Sequence, residues 1–193
     1  MSEIDVVEAA RGASAILMTE RNLNPSLAWL RSIGLQTPDF PARRYSQRVG
    51  GVEYAITRNS DMADELQEGA AFGLMGADGF GELSPARALR FEAVSRLACR
   101  FGLFFPEEAA WDGREAISVA TSNPCALTEF VGRRGIRLAS ILLKQGKIER
   151  CPASGQTQAG FDIVETGSTL RNNGLRLVVR DAPLMLGGVW REV

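Results

Sequence analysis

The stretch that most constrains this chain runs Ala159-Gly160-Phe161-Asp162-Ile163-Val164-Glu165-Thr166-Gly167-Ser168-Thr169-Leu170-Arg171-Asn172-Asn173-Gly174. Its apolar run, Phe161 to Val164, reads as a buried strand that breaks at Thr166-Gly167. Four small residues follow, three of them carrying hydroxyls, before Leu170 resumes an apolar pattern that Gly174 can close. A strand delivering a Gly/Ser/Thr loop makes a good anion cradle. Glycine lets the backbone approach, successive N–H groups point inward, and hydroxyls add donors. The two acids beside it, Asp162 and Glu165, suit ribose hydroxyls or a phosphate-bound magnesium ion. The same residues also read as a strand end with a Ser/Thr cap on the next turn.

The residue inventory narrows the chemistry. The 193 residues are enough for one domain or two small lobes with a real core. Charge is nearly balanced, 22 basic against 23 acidic, which argues against a nucleic-acid surface. No apolar run is long enough to span a membrane, and Met1 to Arg11 lacks a signal peptide's basic-then-apolar order. Three scattered cysteines, Cys99, Cys125 and Cys151, suggest free thiols in a reducing cytoplasm. There is no histidine, which excludes a Ser-His-Asp triad, a histidine base and every histidine-containing metal site. Carboxylates, arginines, hydroxyls, backbone amides and a hard metal ion remain.

Along the chain, residues 1–12 are open between a short helix and disorder, and Ala13–Met18 reads as a first strand. Asn24-Pro25 opens a helix that Gly34 stops. Tyr45–Val49 and Val52–Thr57 flank Gly50-Gly51 as a β-hairpin. Ser60 caps a helix ending at Gly69, and Ala70–Met75 is an apolar strand. Strand, helix, strand in that order points to parallel α/β architecture. Residues 87–105 are ambiguous, because Leu89, Phe91 and Val94 could line a helix. Ala116–Ala120 reads as a strand, Cys125–Arg133 as a helix closed by Gly135, and Ile136–Leu143 as a strand. Lys144–Ser154 reads as a polar loop and Asp181–Val193 as a short tail.

The segment Asp162 to Leu175 resembles the phosphoribosyl-pyrophosphate loop of the ATP phosphoribosyltransferase family. Ser118 to Pro124 and Arg134-Gly135-Ile136 are similar to that family's next strand, turn and helix end. A weaker match covers Glu53 to Leu83, with Arg58-Asn59-Ser60-Asp61 and Glu68 to Gly76 standing at its motifs. The resemblance implies an α/β chain of two lobes, like a type II periplasmic binding protein, with a cleft between them. Lobe I would be 1–84 plus 181–193, and lobe II 85–180. The chain length is similar to the family's short form, which lacks a C-terminal regulatory domain.

The activity so implied is transfer of 5-phosphoribosyl from phosphoribosyl pyrophosphate to N1 of ATP, the first step of histidine biosynthesis, in the cytoplasm and with Mg2+. Arg58 and Asp162 are then the candidate catalytic residues. Asp162, Glu165, Thr166, Gly167, Ser168, Thr169 and Arg43 would bind phosphoribosyl pyrophosphate; Gly73, Gly76 and Arg21 would bind the nucleotide. No residue is assigned directly to a metal. For Arg58 and Arg43 the plain alternative is a surface salt bridge. For Arg21 it is a solvated loop, and for Gly73 and Gly76 tight strand packing. An oligomer and a regulatory subunit resembling histidyl-tRNA synthetase are also implied; nucleic acid and membrane are not.

Four places depart from the family pattern, two of them the segments Gln145-Gly146-Lys147-Ile148-Glu149 and Gly155-Gln156-Thr157-Gln158-Ala159. Its basic Lys-Gly-Arg loop is replaced by Met18-Thr19-Glu20-Arg21-Asn22, and its Asp before Leu-Gly is Phe72. The ribose-phosphate half matches and the nucleotide half differs. That leaves two alternatives: another nitrogen heterocycle as acceptor, or a non-catalytic or regulatory paralogue.

Overall fold

A computed structural model describes residues 5–41, 43–68, 72–83 and 88–191. Its contacts divide into two compact units, one of residues 1–97 and 185–193, the other of residues 98–184. The expected crossing near Ser84 lies outside the described residues. The division falls instead inside two long strands, β5 (Leu89–Pro106) and β9 (Leu175–Arg191), each of which belongs to both units.

The first unit starts with α1 (Val6–Gly12), capped by the Asp5 carboxylate, which accepts from the Val7 and Glu8 N–H groups. Strand β1 (Ala15–Thr19) runs parallel to β3 (Val52–Thr57) on one side and to β4 (Phe72–Gly76) on the other. Strand β2 (Ser46–Val49) closes the hairpin with β3, as the Gly50-Gly51 turn leads one to expect. The end of β9 completes the order β2-β3-β1-β4-β9, antiparallel to β4. Helix α2 (Leu23–Ser32) opens directly from a 3-10 turn at Glu20–Asn22, so Asn24 lies inside the helix and not at its cap. Helix α3 (Asn59–Glu68) likewise takes Ser60 into its first turn. Short α4 (Ala77–Gly81) follows β4.

The 13 residues from Asp181 to Val193 were expected as a tail; as far as Arg191 they are strand instead. The Gly187-Gly188 pair looks like a breaker, yet it serves packing. A Cβ at Gly187 would run into the Phe91 ring, and one at Gly188 into Val6 and, at 2.6 Å, into Phe72. Phe72 is fully buried, stacked between Trp29 and Trp190 with both ring centroids 6.0 Å away. Such offset aromatic stacks add to plain area burial.

The second unit orders its strands β5-β8-β6-β7, with β6 Ile117–Thr121, β7 Leu138–Leu143 and β8 Ala159–Val164. Strand β6 is parallel to both β7 and β8, while β5 is antiparallel to β8. On one face, helix α5 (Pro124–Arg134) packs through Phe130 on Phe161, which stacks in turn on Phe101, each pair of centroids 4.9 Å apart. Gly135 ends α5 in the left-handed region at φ 65°, and Ile136 N–H reaches back to the Val131 carbonyl at 3.0 Å. On the other face, Cys151 of α6 (Arg150–Ala153) and Leu170 of α7 (Ser168–Asn172) cluster with Phe104, Ala120 and Val164 of the strands. The ambiguous residues 87–105 resolve as strand β5 from Leu89 on. No helix among the described residues is long and apolar enough to cross a membrane.

Two consequences can be measured. A Cβ at Gly160 would enter the Phe104 ring, so Gly160→Ala is expected to cost about 1–3 kcal/mol of stability through overpacking, read by urea unfolding. Tyr54 is buried, its hydroxyl donates to the Gln36 carbonyl at 2.7 Å, and burial raises its pKa above the ordinary 10.0. The folded chain therefore holds this proton at pH values where the unfolded chain has lost it. Its contribution is full below pH 10 and disappears as pH rises through the raised native value. Tyr54→Phe should lose about 1 kcal/mol at neutral pH and unfold less steeply in alkali than the parent.

Candidate functional site

Side chains that leave parallel strands at their carboxyl ends gather on one edge of a sheet, where α/β proteins bind ligands. In the first unit, Thr19 of β1 sits beside Thr57 of β3 in register. The residues that follow them, Glu20 and Arg21 on one side and Arg58 and Asn59 on the other, line a cavity of about 580 Å3 with Tyr45, Asp61 and Glu65. Glu65 accepts a hydrogen bond from the Thr57 hydroxyl.

Arg21 does not lie free in a solvated loop. Its guanidinium pairs with the Asp78 carboxylate, whose side chain is only 2% exposed against 46% for Arg21. Asp78 Oδ1 is buried without a hydrogen-bond partner among the described residues. Gly76 makes room for this pair, because a Cβ there would run into the Asp78 carboxylate and come within 3.3 Å of the Arg21 guanidinium. Gly73 faces the other way, where a Cβ would lie 2.7 Å from Met62 Sδ and 3.3 Å from Leu66. Space at Gly73 is thus taken by helix α3, and space at Gly76 by an ion pair. Arg58 is exposed and makes no ion pair among the described residues, so its charge is open to the cavity. Arg43 sits in an exposed turn with φ 68° and does not line that cavity. Asp78 had no motif to announce it; an acid two residues after a strand-end glycine was the only signal in the chain.

In the second unit the opening stretch is built as strand, turn and helix. Strand β8 ends at Val164, Gly167 stands in the left-handed region at φ 71°, and α7 begins at Ser168. A side chain at 167 would be strained there whatever the space. The first N–H groups of α7 have no acceptor one turn earlier, and its cap residue supplies no side-chain bond. The Ser168 N–H turns to Thr166 Oγ1 at 3.3 Å, and the Thr166 and Ser168 hydroxyls lie 3.0 Å apart. Arg171 donates to the Thr166 carbonyl at 3.3 Å and so braces the turn. Asp162, Glu165, Thr166, Gly167, Ser168 and Thr169 all line one cavity of about 360 Å3, together with Phe104 and Glu149. Asp162 Oδ1 accepts from the Ile163 N–H at 2.8 Å, while Glu165 is exposed.

The sequence-expected residues therefore fall into two groups. The six of the loop come together in the second unit; Arg21 and Arg58 share a cavity in the first. No group of three or more acids, cysteines or histidines able to hold a metal occurs among the described residues. The carboxylates of Asp162, Glu165 and Glu149 on one cavity are nonetheless the kind of oxygen donor that magnesium takes, one or two at a time, when it arrives with substrate phosphates.

Residues 58–182 match the family model of ATP phosphoribosyltransferase. The chain is 32% identical over 143 residues to the ATP phosphoribosyltransferase of Rubrobacter xylanophilus, a match covering 70% of this chain and 65% of that relative. It thus spans a little under two thirds of that relative's length. Among solved structures it is similar to the ATP phosphoribosyl transferase (HisG:HisZ) complex from Thermotoga maritima. That TM-score is 0.68 at 18% identity, over 92% of this chain and 87% of the other. A histidine kinase sensor domain with similarity to periplasmic binding proteins matches with a TM-score of 0.59 at 15% identity, over 93% and 82%. The fold is thus the two-lobed, type II periplasmic-binding-protein-like α/β architecture.

The buried acid gives a test that needs no substrate. Arg21→Ala leaves Asp78 without its partner and is expected to lower stability by about 1–3 kcal/mol. Arg58→Ala should change stability by less than about 0.5 kcal/mol. Chemical denaturation of the two variants side by side reads the difference.

Proposed function

The chain belongs to the ATP phosphoribosyltransferase family, and from that premise we propose that it transfers the 5-phosphoribosyl group of phosphoribosyl pyrophosphate to N1 of ATP, opening histidine biosynthesis. One observation carries this reading. The Asp162–Leu175 motif stands at the carboxyl end of a parallel strand with its glycine in the left-handed region, and its acids and hydroxyls line a single cavity.

In this reading the Thr166–Thr169 turn holds the 5-phosphate through backbone N–H groups and hydroxyls. Asp162 and Glu165 accept from the ribose hydroxyls. A ring nitrogen with an sp2 lone pair attacks the anomeric carbon while pyrophosphate leaves, and the nucleophile has no proton to lose. A chain without histidine can therefore run the step on positioning and electrostatics alone. Magnesium, when bound with the substrate, offsets pyrophosphate charge. Asp162 and Glu165 are the carboxylates that would hold it. Arg58, unpaired and facing its cavity, is the candidate cation for the phosphates of leaving group or acceptor. Arg21 is held in place by Asp78 beside it. A hetero-oligomer with a regulatory subunit resembling histidyl-tRNA synthetase, in the cytoplasm, belongs to the same reading. That the Thermotoga neighbour is a HisG:HisZ complex supports the hetero-oligomer.

A second reading rests on Phe72. Where the family pattern has an acid, this chain buries an aromatic between two tryptophans. Gly73 and Gly76 are filled by Met62 and by the Arg21–Asp78 pair. These changes favour either a different nitrogen heterocycle as acceptor or a non-catalytic, regulatory paralogue that keeps the phosphate cradle.

The deciding assay measures pyrophosphate release from phosphoribosyl pyrophosphate and Mg2+ with ATP as acceptor, with and without copurifying partner, and runs the reverse reaction beside it. ATP-dependent turnover is expected. Saturable binding without turnover would favour the second reading. The cradle itself is tested by Gly167→Ala combined with Thr169→Ala. Loss of charged hydrogen bonds should weaken phosphoribosyl pyrophosphate binding about 100-fold by calorimetry; unchanged binding would refute the assignment.

A further inference from the structure

Beside the cradle, on the same sheet face of the second unit, lies a cavity of about 510 Å3 lined by Arg100, Arg171, Arg176 and Arg180. Against these four cations it has two acids, Glu107 and Glu165, a formal excess of two positive charges (4 − 2). None of the four arginines makes an ion pair with a carboxylate among the described residues. Two are held by backbone oxygens instead. Arg176 donates to the carbonyls of Glu107 at 3.2 Å and Ala109 at 2.7 Å, and Arg171 to that of Thr166. Their guanidinium groups are thus positioned while their charge is left uncompensated. The lining also includes apolar Val164, Leu170, Leu175 and Leu177, the last of these 37% exposed.

Like charges are not gathered around one hollow for stability, since each repels the next. Planar, permanently charged forks match phosphate oxygens two at a time. The volume lies within the ~300–1,000 Å3 of small-molecule sites.

We propose that this arginine pocket is a second anion site, separate from the Asp162–Thr169 cradle, that takes a small phosphorylated ligand. Its phosphates lie on the arginines and its less polar part rests on Leu175 and Leu177. The site does not depend on the phosphoribosyl reading of the cradle, and the two can fail independently. Glu165, Thr166 and Gly167 line both cavities, so the turn is the wall between them.

The test uses inorganic pyrophosphate as probe on the full chain, by calorimetry at low and moderate salt. The parent is expected to bind two pyrophosphates. Arg100→Gln combined with Arg180→Gln should bind one, at an unchanged melting temperature and with phosphoribosyl pyrophosphate affinity kept. Ser168→Ala with Thr169→Ala, at residues that line the cradle and not the arginine pocket, should also bind one, now salt-sensitive and dependent on the arginines. Pyrophosphate binding in the parent that Arg100→Gln with Arg180→Gln leaves unchanged in number and affinity would overturn the proposal. So would loss of phosphoribosyl pyrophosphate binding in a folded arginine variant, since the arginines would then belong to the cradle's own ligand. Loss of phosphoribosyl pyrophosphate binding in the cradle variant, with the arginine site intact, bears on the cradle alone.

Discussion

Parallel pairing is the constraint on which everything else in this chain depends. A strand that runs beside its neighbour in the same direction needs a crossover, and both then end on the same edge. The Thr19–Thr57 register brings Arg21 and Arg58 to one rim, though they are far apart in sequence. The Thr121–Phe161 register does the same for the second unit, setting the end of β8 and its turn on the edge where β6 also ends. Hydrogen bonds between backbones thus decide which side chains can meet before any side chain acts. The helices that cover the two faces then decide which strand positions stay open.

Much of the second unit was legible because its signals are local. Val164 to Ser168 combines the end of an apolar run, a glycine and hydroxyls in one short window, and the turn forms as the residue types dictate. Asn123-Pro124 and Gly135 bracket α5 for the same reason. What could not be read were features set by partners distant in sequence. Leu89, Phe91 and Val94 have helical spacing, yet β5 is a strand because its other neighbours, β8 and β9, claim its backbone. Gly187-Gly188 looks like the end of structure until Phe91 and Phe72 are seen to need the space.

The first unit's departures from its family belong to that second class. Phe72 reads in the sequence as a lost acid. In the fold it is the centre of a three-ring stack, and removing its apolar surface would open a void that the surrounding side chains do not fill. Arg21 reads as a residue of an altered loop, but the Asp78 carboxylate beneath it is the reason it is ordered. A buried carboxylate and a half-exposed guanidinium make an asymmetric pair: Asp78 needs Arg21 more than Arg21 needs Asp78. Such a pair anchors a cation at a cavity rim while leaving part of its charge to a ligand.

The two units are thus constrained differently. Around β8 the constraints are backbone constraints. The left-handed Gly167, the close approach of Gly160 to Phe104 and the brace from Arg171 to a carbonyl leave few residues that could replace them. Around β4 the constraints are volumes and charges, which many combinations satisfy, and there an aromatic has taken an acid's position without loss of packing. A chain under selection for phosphate binding but free to alter its second ligand would keep the first kind of residue and change the second.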